Sequence, residues 1–234
     1  MGQRTQSQRT VLVAGATSAT GIAIARALAD QGFRVLAVGS DQQRLDERLN
    51  FVTARYQADL GDETQVEHLA QRIHADYGPI DALFHLVGGW RGGKGITGQS
   101  TEDYEYLHRS VMMTLRHTTK AFYQDLVDSP AGRLAIISSQ AVATPMPSNA
   151  NYGSVKASAE FWVQAVARAF SKQAPNAAAA IWVVKALTDQ LPEHPGGPLS
   201  GYTHVESVAA AALALITADP ATVNGRRQTL PGLE

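Results

Sequence analysis

The sequence lacks cysteine altogether, which excludes disulfide bonds, thiolate metal sites and cysteine nucleophiles. It also lacks an excess of charge of one sign: the formal net charge is −1, and this balance gives no indication of a nucleic-acid partner. Long hydrophobic runs are missing too, since the longest, Ala177–Val184 and Val208–Ile216, are far too short to span a bilayer. We therefore expect a protein without nucleic-acid or membrane partners, located in the cytoplasm.

What the chain does contain is a core-forming composition, with 44% hydrophobic residues among 234. Residues 1–9 are polar, lack the apolar segment of a signal peptide and are predicted to form a disordered tail. Short apolar segments then alternate with stretches of helical spacing. The predicted strands are Thr10–Ala14, Arg34–Val38, Val52–Gln57, Asp81–Val87, Arg133–Ser138, Ala178–Val184 and Arg227–Leu230. The predicted helices are Thr20–Gln31, Gln42–Leu49, Asp62–Tyr77, Thr101–Val127, Asn151–Ser171 and Val205–Thr217.

This alternation of strands and helices indicates the architecture. Strands that are apolar throughout are typical of a parallel sheet covered by helices on both faces. Neither a linker nor an internal repeat divides the sequence. We therefore predict one α/β domain over residues 10–234, a Rossmann-type, doubly wound, mostly parallel sheet of about seven strands. Ligands of such sheets bind at the carboxyl ends of the strands.

The turn after the first predicted strand, Ala14–Gly21, contains two glycines. Gly15 suits a tight turn, and Gly21 lets the next helix pack closely on the strand. The N-terminus of that helix offers free N–H groups and a positive dipole end to a pyrophosphate, and Ser18 and Thr20 add hydroxyl donors. The alternative is a glycine-containing turn that binds no ligand. Because Ala14–Gly21 is the first strand–helix turn of a doubly wound sheet, ligand binding is favoured.

A second glycine-rich segment, GGWRGGKG at residues 88–95, comes within one residue of a phosphate-binding P-loop. Gly95 stands where that motif needs a hydroxyl for Mg²⁺, and residues 96–98 do not begin a helix that would cradle phosphate. The segment follows the fourth predicted strand, so we expect Gly88 and Gly89 to run along a bound cofactor, where the backbone must approach closely. For Trp90, substrate contact and simple packing both stay open.

A candidate for acid–base chemistry lies at the start of the fifth predicted helix. Tyr152 and Lys156 are four residues apart, which puts both side chains on one helical face. A free phenol has a pKa of about 10, and a nearby ammonium favours the phenolate, giving a group able to exchange a proton with a carbonyl or alcohol oxygen. Ser139, at the end of the fifth strand, would meet Tyr152 at the rim of the sheet. An exposed pair on a helix surface is the alternative.

Together these features resemble the short-chain dehydrogenase/reductase family, and the resemblance covers essentially the whole chain. It implies an NAD(P)-dependent oxidoreductase in which Tyr152 is the general acid/base and Ser139 polarises the substrate oxygen. It implies that Lys156 lowers the Tyr152 pKa and binds the nicotinamide ribose, and that Asp59 contacts the adenine. The implied cofactor-binding residues are Gly15, Thr17, Ser18, Ala19, Thr20, Gly21, Ile22, Ser40, Arg44, Asp59, Leu60, Val87, Gly88, Gly89, Tyr152, Lys156, Lys185 and Leu187.

The sequence departs from the family pattern at several places. The middle glycine of the first turn is replaced by Ala19, or by Ser18 in the other register, and the family's Asn-Asn-Ala-Gly is replaced by residues 85–88, His-Leu-Val-Gly. Ser110, a further catalytic candidate, stands near the position of the family's relay asparagine. The Gly-Gly-Trp-x-Gly-Gly loop is similar to dihydropteridine reductases, which however tend to lack the serine kept here as Ser139. A catalytically weak dinucleotide-binding sensor on the same fold is therefore the alternative function.

The choice of cofactor depends on the end of the second strand, where an acid usually holds the 2′-OH of NAD. Gly39 takes that place, and Ser40 and Arg44 would accommodate a 2′-phosphate. We therefore favour NADP(H), while Asp41 would serve NAD if the loop were longer. No histidine or carboxylate cluster has metal-ligand spacing, so we expect no metal.

Substrate and assembly are the least specified features of the sequence. The resemblance implies a small carbonyl or alcohol substrate, and the candidate contacts are Trp90, Val142 and Met146. The connector Leu187–Tyr202 stands where the family has a substrate lid. The fifth predicted helix carries apolar residues beyond one face, such as Phe161 and Trp162, so we expect a homo-oligomer, a tetramer or a dimer.

Overall fold

The computed structural model describes residues 9–234; apart from Arg9, the predicted N-terminal tail lies outside the described residues. Its main feature is a parallel sheet of seven strands in the order β3-β2-β1-β4-β5-β6-β9. The strands are β1 Thr10–Ala14, β2 Arg34–Gly39, β3 Ala54–Gln57, β4 Ala82–His85, β5 Arg133–Ser139, β6 Ala178–Val184 and β9 Arg227–Thr229. The predicted Rossmann-type doubly wound sheet is confirmed.

Helices cover both faces of this sheet. They are α1 Ala19–Asp30, α2 Gln42–Arg48, α3 Glu63–Tyr77, α4 Thr101–Leu107, α5 Thr114–Asp128, α6 Ala150–Gln173, α7 Val205–Thr217 and α8 Pro220–Val223. Apolar side chains of α1 and α7 form the core on one face, and those of α3, α5 and α6 form the core on the other. β1 and β6 are buried throughout and apolar at nearly every position, as is typical of strands covered on both faces.

The predicted long helix over residues 101–127 is wrong in one respect. A π-helical segment, His108–Met113, separates α4 from α5. Near it the hydroxyl of Thr114 donates to the carbonyl of Ser110 at 2.9 Å, and that of Thr118 donates to the carbonyl of Thr114 at 2.8 Å. Such side-chain hydroxyls give backbone carbonyl oxygens a hydrogen-bond donor from within the same helix. π-Helical turns often mark functional sites.

The connector between β6 and α7 also has more order than the sequence indicated. Its two ends pair as a short parallel ladder, β7 Leu187–Thr188 with β8 Thr203–His204. The backbone N–H of Thr203 donates to the carbonyl of Ala186 at 2.8 Å. The Pro- and Gly-rich residues between these strands therefore form a loop whose two ends are fixed beside the carboxyl end of β6.

Candidate active site

The β1–α1 turn has the geometry that its two glycines predict. Gly15 has a φ of +81°, which disfavours residues with a side chain. A Cβ at Gly21 would lie 2.5 Å from the carbonyl oxygen of Gly15, so only glycine allows α1 to approach the turn this closely. Ser18 caps α1, and its hydroxyl accepts a hydrogen bond from the N–H of Gly21 at 3.0 Å. The helix N-terminus is thereby fixed at the carboxyl end of β1.

A first cleft of about 310 Å³ lies between the ends of β1, β2 and β3 and the α4–α5 region. Its lining residues are Gly15, Thr17, Gly39, Ser40, Ala58, Asp59, Leu60, Gly61, Val87, Tyr106, Arg109, Ser110 and Thr114. At its wall the guanidinium of Arg109 pairs with the carboxylate of Asp59, with 2.5 Å between Nη2 and Oδ2. Asp59 also accepts from the N–H of Gly61 at 2.8 Å. Sequence reasoning missed Arg109 because only the folded α4–α5 region brings it to β3.

The packing at the end of β2 explains why Gly39 stands where the family usually has an acidic residue. A Cβ at Gly39 would lie 3.2 Å from the methyl carbon of Thr17 and 3.4 Å from the side chain of Leu45, so a larger residue has little room there. Asp41 is used as the N-cap of α2, accepting from the N–H of Arg44 at 3.0 Å. Ser40 lines the first cleft, whereas Arg44 does not.

A second cleft of about 340 Å³ adjoins the first at Val87, which lines both. It lies where β1, β4, β5 and β6 end, as expected for ligand sites of parallel sheets. Its lining residues are Ser18, Thr20, His85, Leu86, Val87, Gly88, Gly89, Trp90, Ile137, Ser138, Tyr152, Lys156, Val184, Lys185, Ala186 and Leu187. Of the predicted cofactor-binding residues, those that line neither cleft are Ala19, Gly21, Ile22 and Arg44.

Tyr152 and Lys156 line the second cleft, and the Ser139 side chain lies beside Tyr152, where its hydroxyl accepts from the N–H of Ala141 at 3.2 Å. Burial raises the pKa of the Tyr152 phenol, and the neighbouring Ser139 hydroxyl acts in the opposite direction. The predicted lowering of the Tyr152 pKa by Lys156 is therefore not found here. The Lys156 ammonium lies 5.8 Å from the centre of the Tyr152 ring and donates to the carbonyl of Ile137 at 2.9 Å. Burial lowers the pKa of Lys156 to about 8, although the charge of Glu160 raises it.

A buried histidine, which sequence reasoning did not assign to the site, lies next to Lys156. His85 is 3% exposed, and its ring nitrogens lie 3.1 Å from the hydroxyl of Thr118 and 3.2 Å from that of Thr114. Burial, and secondly the charge of Lys156, lower the pKa of His85 to about 3. The imidazole is thus neutral near pH 7 and has one N–H, which donates to one of the two threonine hydroxyls.

Three predicted catalytic or substrate residues lie away from the Tyr152 cleft. Ser110 belongs to the π-helical segment and lines the first cleft. Val142 and Met146 line a separate groove with Gly153 and Ser154, because the 3₁₀ turns after β5 carry the chain to that side of α6. The prediction that these three contact the reacting groups is therefore not supported by their positions.

The GGWRGGKG segment forms one wall of the second cleft through Gly88, Gly89 and Trp90. Residues 95–98 form a turn and the next helix starts only at Thr101, which confirms that this is no P-loop. Trp90 is 65% exposed. The segment is tied to the start of α6 because the N–H of Gly93 donates to the carbonyl of Ser148 at 2.8 Å.

Lys185 and Leu187 line the second cleft from the end of β6. The ammonium of Lys185 donates to the carbonyl of Ser200 at 2.9 Å and lies 5.5 Å from the centre of the Tyr202 ring. Lys185 therefore ties the cleft to the connector.

Within residues 9–234, no helix has both the length and the apolar composition needed to cross a membrane. In the same residues no group of three or more His, Asp and Glu side chains has a geometry that would hold a metal.

Known proteins share this fold and sequence pattern. The 2,3-dihydro-2,3-dihydroxybenzoate dehydrogenase of Bacillus subtilis is 28% identical over 153 residues, 63% of this chain and 58% of that protein. The NADP-dependent 3-hydroxy acid dehydrogenase YdfG of Escherichia coli K12 is 29% identical over 150 residues, 63% of this chain and 60% of the relative. This chain thus spans less than two thirds of either relative.

Two broader comparisons concern the fold and the family. The solved structure of a single-substitution variant of actinorhodin polyketide ketoreductase with NADPH has a TM-score of 0.84, with 20% identity and 98% of each chain covered. That similarity shows the common fold. The family model described as short chain dehydrogenase matches residues 9–181, which is most of the chain. The chain therefore belongs to the short-chain dehydrogenase family.

Proposed function

We propose that this protein is an NAD(P)-dependent oxidoreductase that interconverts a small carbonyl, or imine-like, compound and the corresponding alcohol or amine. The observation that carries the proposal is that Tyr152 and Lys156 line one cleft at the carboxyl ends of the strands, with Ser139 beside the Tyr152 phenol. This arrangement holds an acidic hydroxyl, a second hydroxyl and a cation around one point, which suits proton transfer to an oxygen.

Each of the three residues has a distinct role. Burial keeps the Tyr152 phenol protonated near neutral pH, so Tyr152 is set to donate its proton to a carbonyl oxygen, as reduction requires. Ser139 donates a hydrogen bond to the same oxygen and stabilises the negative charge that develops there. Lys156 supplies positive charge that favours the phenolate left after proton transfer. These roles follow from the placement of the three side chains.

The two clefts fit a dinucleotide. The first, beside β2 and β3, suits the adenosine part, with Asp59 and Leu60 at its wall, and the N-terminus of α1 suits the pyrophosphate. The second suits the nicotinamide end, where a side chain at Gly88 would occupy space 3.7 Å from the ammonium of Lys156. The nicotinamide, when bound, supplies the hydride chemistry. We propose NADP(H) over NAD(H), because an acidic residue has little room at Gly39 and Ser40 lines the cleft.

The proposal is tested by removing one oxygen atom. In Tyr152→Phe we expect kcat to fall by about 10²- to 10⁴-fold, while the Kd of NADPH changes by less than about threefold. A carbonyl panel assayed by NADPH absorbance measures the first, and a fluorescence titration measures the second. Tyr104→Phe is the matched control, because Tyr104 stacks on His108 outside both clefts. Unchanged turnover in Tyr152→Phe would remove Tyr152 from the mechanism.

The surroundings of the second cleft support a small-molecule substrate. Trp90 and Leu187 give it an apolar rim, and the connector tied to Lys185 borders it, so we propose that these residues select the substrate. A cytoplasmic location stays a prediction from the sequence.

We also propose a homo-oligomer formed through α5 and α6. A shallow groove of about 370 Å³ runs between these helices, lined by Tyr123, Trp162, Val166 and their neighbours. Phe161 is 74% exposed, and among the described residues the buried indole nitrogen of Trp162 has no hydrogen-bond partner. A large exposed aromatic side chain beside an apolar groove is explained if a second copy covers this face.

A further inference from the structure

A buried carboxylate contacts Ser138, the residue that precedes the proposed catalytic serine. Glu160 of α6 is 5% exposed. It accepts a hydrogen bond from the hydroxyl of Ser138 at 2.6 Å, and from Nε of Arg227 at 3.0 Å. A carboxylate taken out of water is tolerated only when it is paired and hydrogen-bonded. Here Arg227 supplies the charge and Ser138 the additional donor.

Arg227 has a second contact, and this contact reaches the active site. Its Nη2 donates to the carbonyl oxygen of Ser139 at 3.2 Å, while its Nε faces Glu160. The planar guanidinium fixes both contacts at once, since its donors form a rigid fork. The backbone of Ser139 is thus held from β9, the strand on the far side of β6. This backbone carries the Ser139 hydroxyl, which the N–H of Ala141 orients by donating to it at 3.2 Å.

Glu160 is also coupled to Lys156. The two residues are one helical turn apart on α6, and the charge of Glu160 raises the pKa of Lys156 against the effect of burial. The other groups that face the Lys156 ammonium are Tyr152 on the same helix and His85 on β4. Since His85 opposes the positive charge only when it is itself protonated, Glu160 is the group that favours a charged Lys156 near neutral pH.

We propose that Glu160 and Arg227 are positioning residues for the oxidoreductase reaction, a role that rests on the function proposed above. Arg227 holds the Ser139 backbone in place through its second donor. Glu160 orients Arg227 and, through its charge, maintains the ammonium form of Lys156. Neither side chain touches the reacting atoms. The last strand of the sheet thereby contributes to an active site formed by β5 and α6.

The first experiment separates charge compensation from positioning at Arg227. Lysine at this position would still neutralise Glu160, but a single ammonium lacks the fork that also reaches the Ser139 carbonyl. We therefore expect Arg227→Lys to keep its Tm within a few degrees of the parent protein while kcat falls at least fivefold and KM changes less than twofold. Arg227→Met should lose both stability and kcat. The matched control is Arg226→Met, since Arg226 is the exposed neighbour in sequence.

A role limited to stability gives a different result, in which Arg227→Lys restores both Tm and kcat. That outcome overturns the proposal for Arg227. So does an equal loss of kcat in Arg226→Met, because that side chain makes no contact with Ser139 or Glu160.

The second experiment needs no substrate and tests Glu160. The chain contains five lysines, so lysine labelled with ¹³C at Cε gives a spectrum simple enough to follow Lys156 through a pH titration, with Lys156→Arg to assign its signal. In Glu160→Gln the amide still accepts from Ser138 but carries no charge, and we expect the Lys156 midpoint to fall. Asp125→Asn, a buried carboxylate distant in sequence from Lys156, is the control.

An unchanged Lys156 midpoint in Glu160→Gln overturns the electrostatic half of the proposal. If the parent protein reduces no carbonyl in the panel, the proposed function fails, yet this titration still gives its result. The two failures can therefore be told apart.

Discussion

The guanidinium of Arg109 lies 2.5 Å from the carboxylate of Asp59, at the wall of the cleft that suits the adenosine part of a dinucleotide. The resemblance to short-chain dehydrogenases assigned an adenine contact to Asp59 alone. In the folded protein this acid is paired, and the planar face of Arg109 lines the same cleft. We therefore expect both residues to take part in binding the adenosine part.

This pairing leads to a prediction for Arg109→Ala. Both side chains are about half exposed, so the loss of the pair should change the free energy of unfolding by less than about 1 kcal/mol. The Kd of NADPH, in contrast, should rise by about fivefold or more, because an unpaired Asp59 then faces a ligand that carries phosphates. Fluorescence titration measures this, with Arg116→Ala as control, since Arg116 pairs with Glu63 outside the cleft. Equal Kd values in the two variants would contradict the prediction.

A second prediction concerns cofactor preference. Gly39 is confined by Thr17 and Leu45, so an acid is better introduced at Ser40, which is exposed and lines the cleft. In Ser40→Asp we expect the ratio of the Kd values for NADPH and NADH to shift at least tenfold toward NADH, because a carboxylate repels a 2′-phosphate and accepts from a 2′-OH. Ser40→Asn controls for size. Tighter binding of NADH than NADPH by the parent protein would sink the preference proposed here.

The third prediction uses the acid dependence of stability. The folded-state pKa of His85 is lowered from 6.5 to about 3, so between these values the unfolded chain binds a proton that the folded chain does not. The free energy of unfolding therefore decreases as the pH falls through this window. At pH 5 the His85 contribution to this loss is about 2 kcal/mol.

His85→Gln should be less sensitive to acid, because an amide still bridges the two threonine hydroxyls but does not titrate. Urea unfolding of both proteins at pH 7.5 and pH 5 measures the difference. His194→Gln, in the exposed connector, is the control and should keep the dependence of the parent. Parallel pH dependence in the parent and His85→Gln would show that the histidine is not held neutral.

The fourth prediction addresses assembly. Phe161 protrudes from α6 beside the groove that contains Trp162. Phe161→Glu should reduce the molar mass measured by light scattering, with little change in Tm of the separated subunit, since the side chain makes few contacts within its own chain. Gln71→Glu, at an exposed position of α3 outside the proposed interface, adds the same single negative charge and is the control. A parent protein that is already monomeric at micromolar concentration would refute an interface on this face.

The sequence was sufficient for the features that depend on local pattern. Apolar segments such as Ala178–Val184 identified the strands, and the glycines at 15 and 21 located the turn beside which a ligand would lie. Ser139, Tyr152 and Lys156 were found because the family spacing is specific. The helical spacing of Tyr152 and Lys156 and the position of Ser139 at the end of a strand predicted where they lie relative to one another.

Other features depend on tertiary packing and were not predictable in this way. Near the π-helical segment the hydroxyls of Thr114 and Thr118 donate to backbone carbonyls. Helix propensities do not predict such side-chain bonds. The direction of the Tyr152 pKa shift was predicted wrongly, because the spacing of residues in a sequence does not show how deeply the phenol is buried. Arg227 contacts Ser139 across 88 positions of sequence. The 3₁₀ turns after β5 place Val142 in a groove separate from the Tyr152 cleft, and its contact with substrate stays a prediction.

The contact between Arg227 and Ser139 also has a consequence for biosynthesis. While the polypeptide is being made, β5 and α6 can pair and pack long before residue 227 leaves the ribosome. During that interval the Ser139 carbonyl has no guanidinium beside it and Glu160 has no counter-charge. A nascent chain can therefore complete most of its fold before Arg227 contacts Ser139 and Glu160, and the positioning role proposed for Arg227 makes addition of the last strand the step that completes the active site.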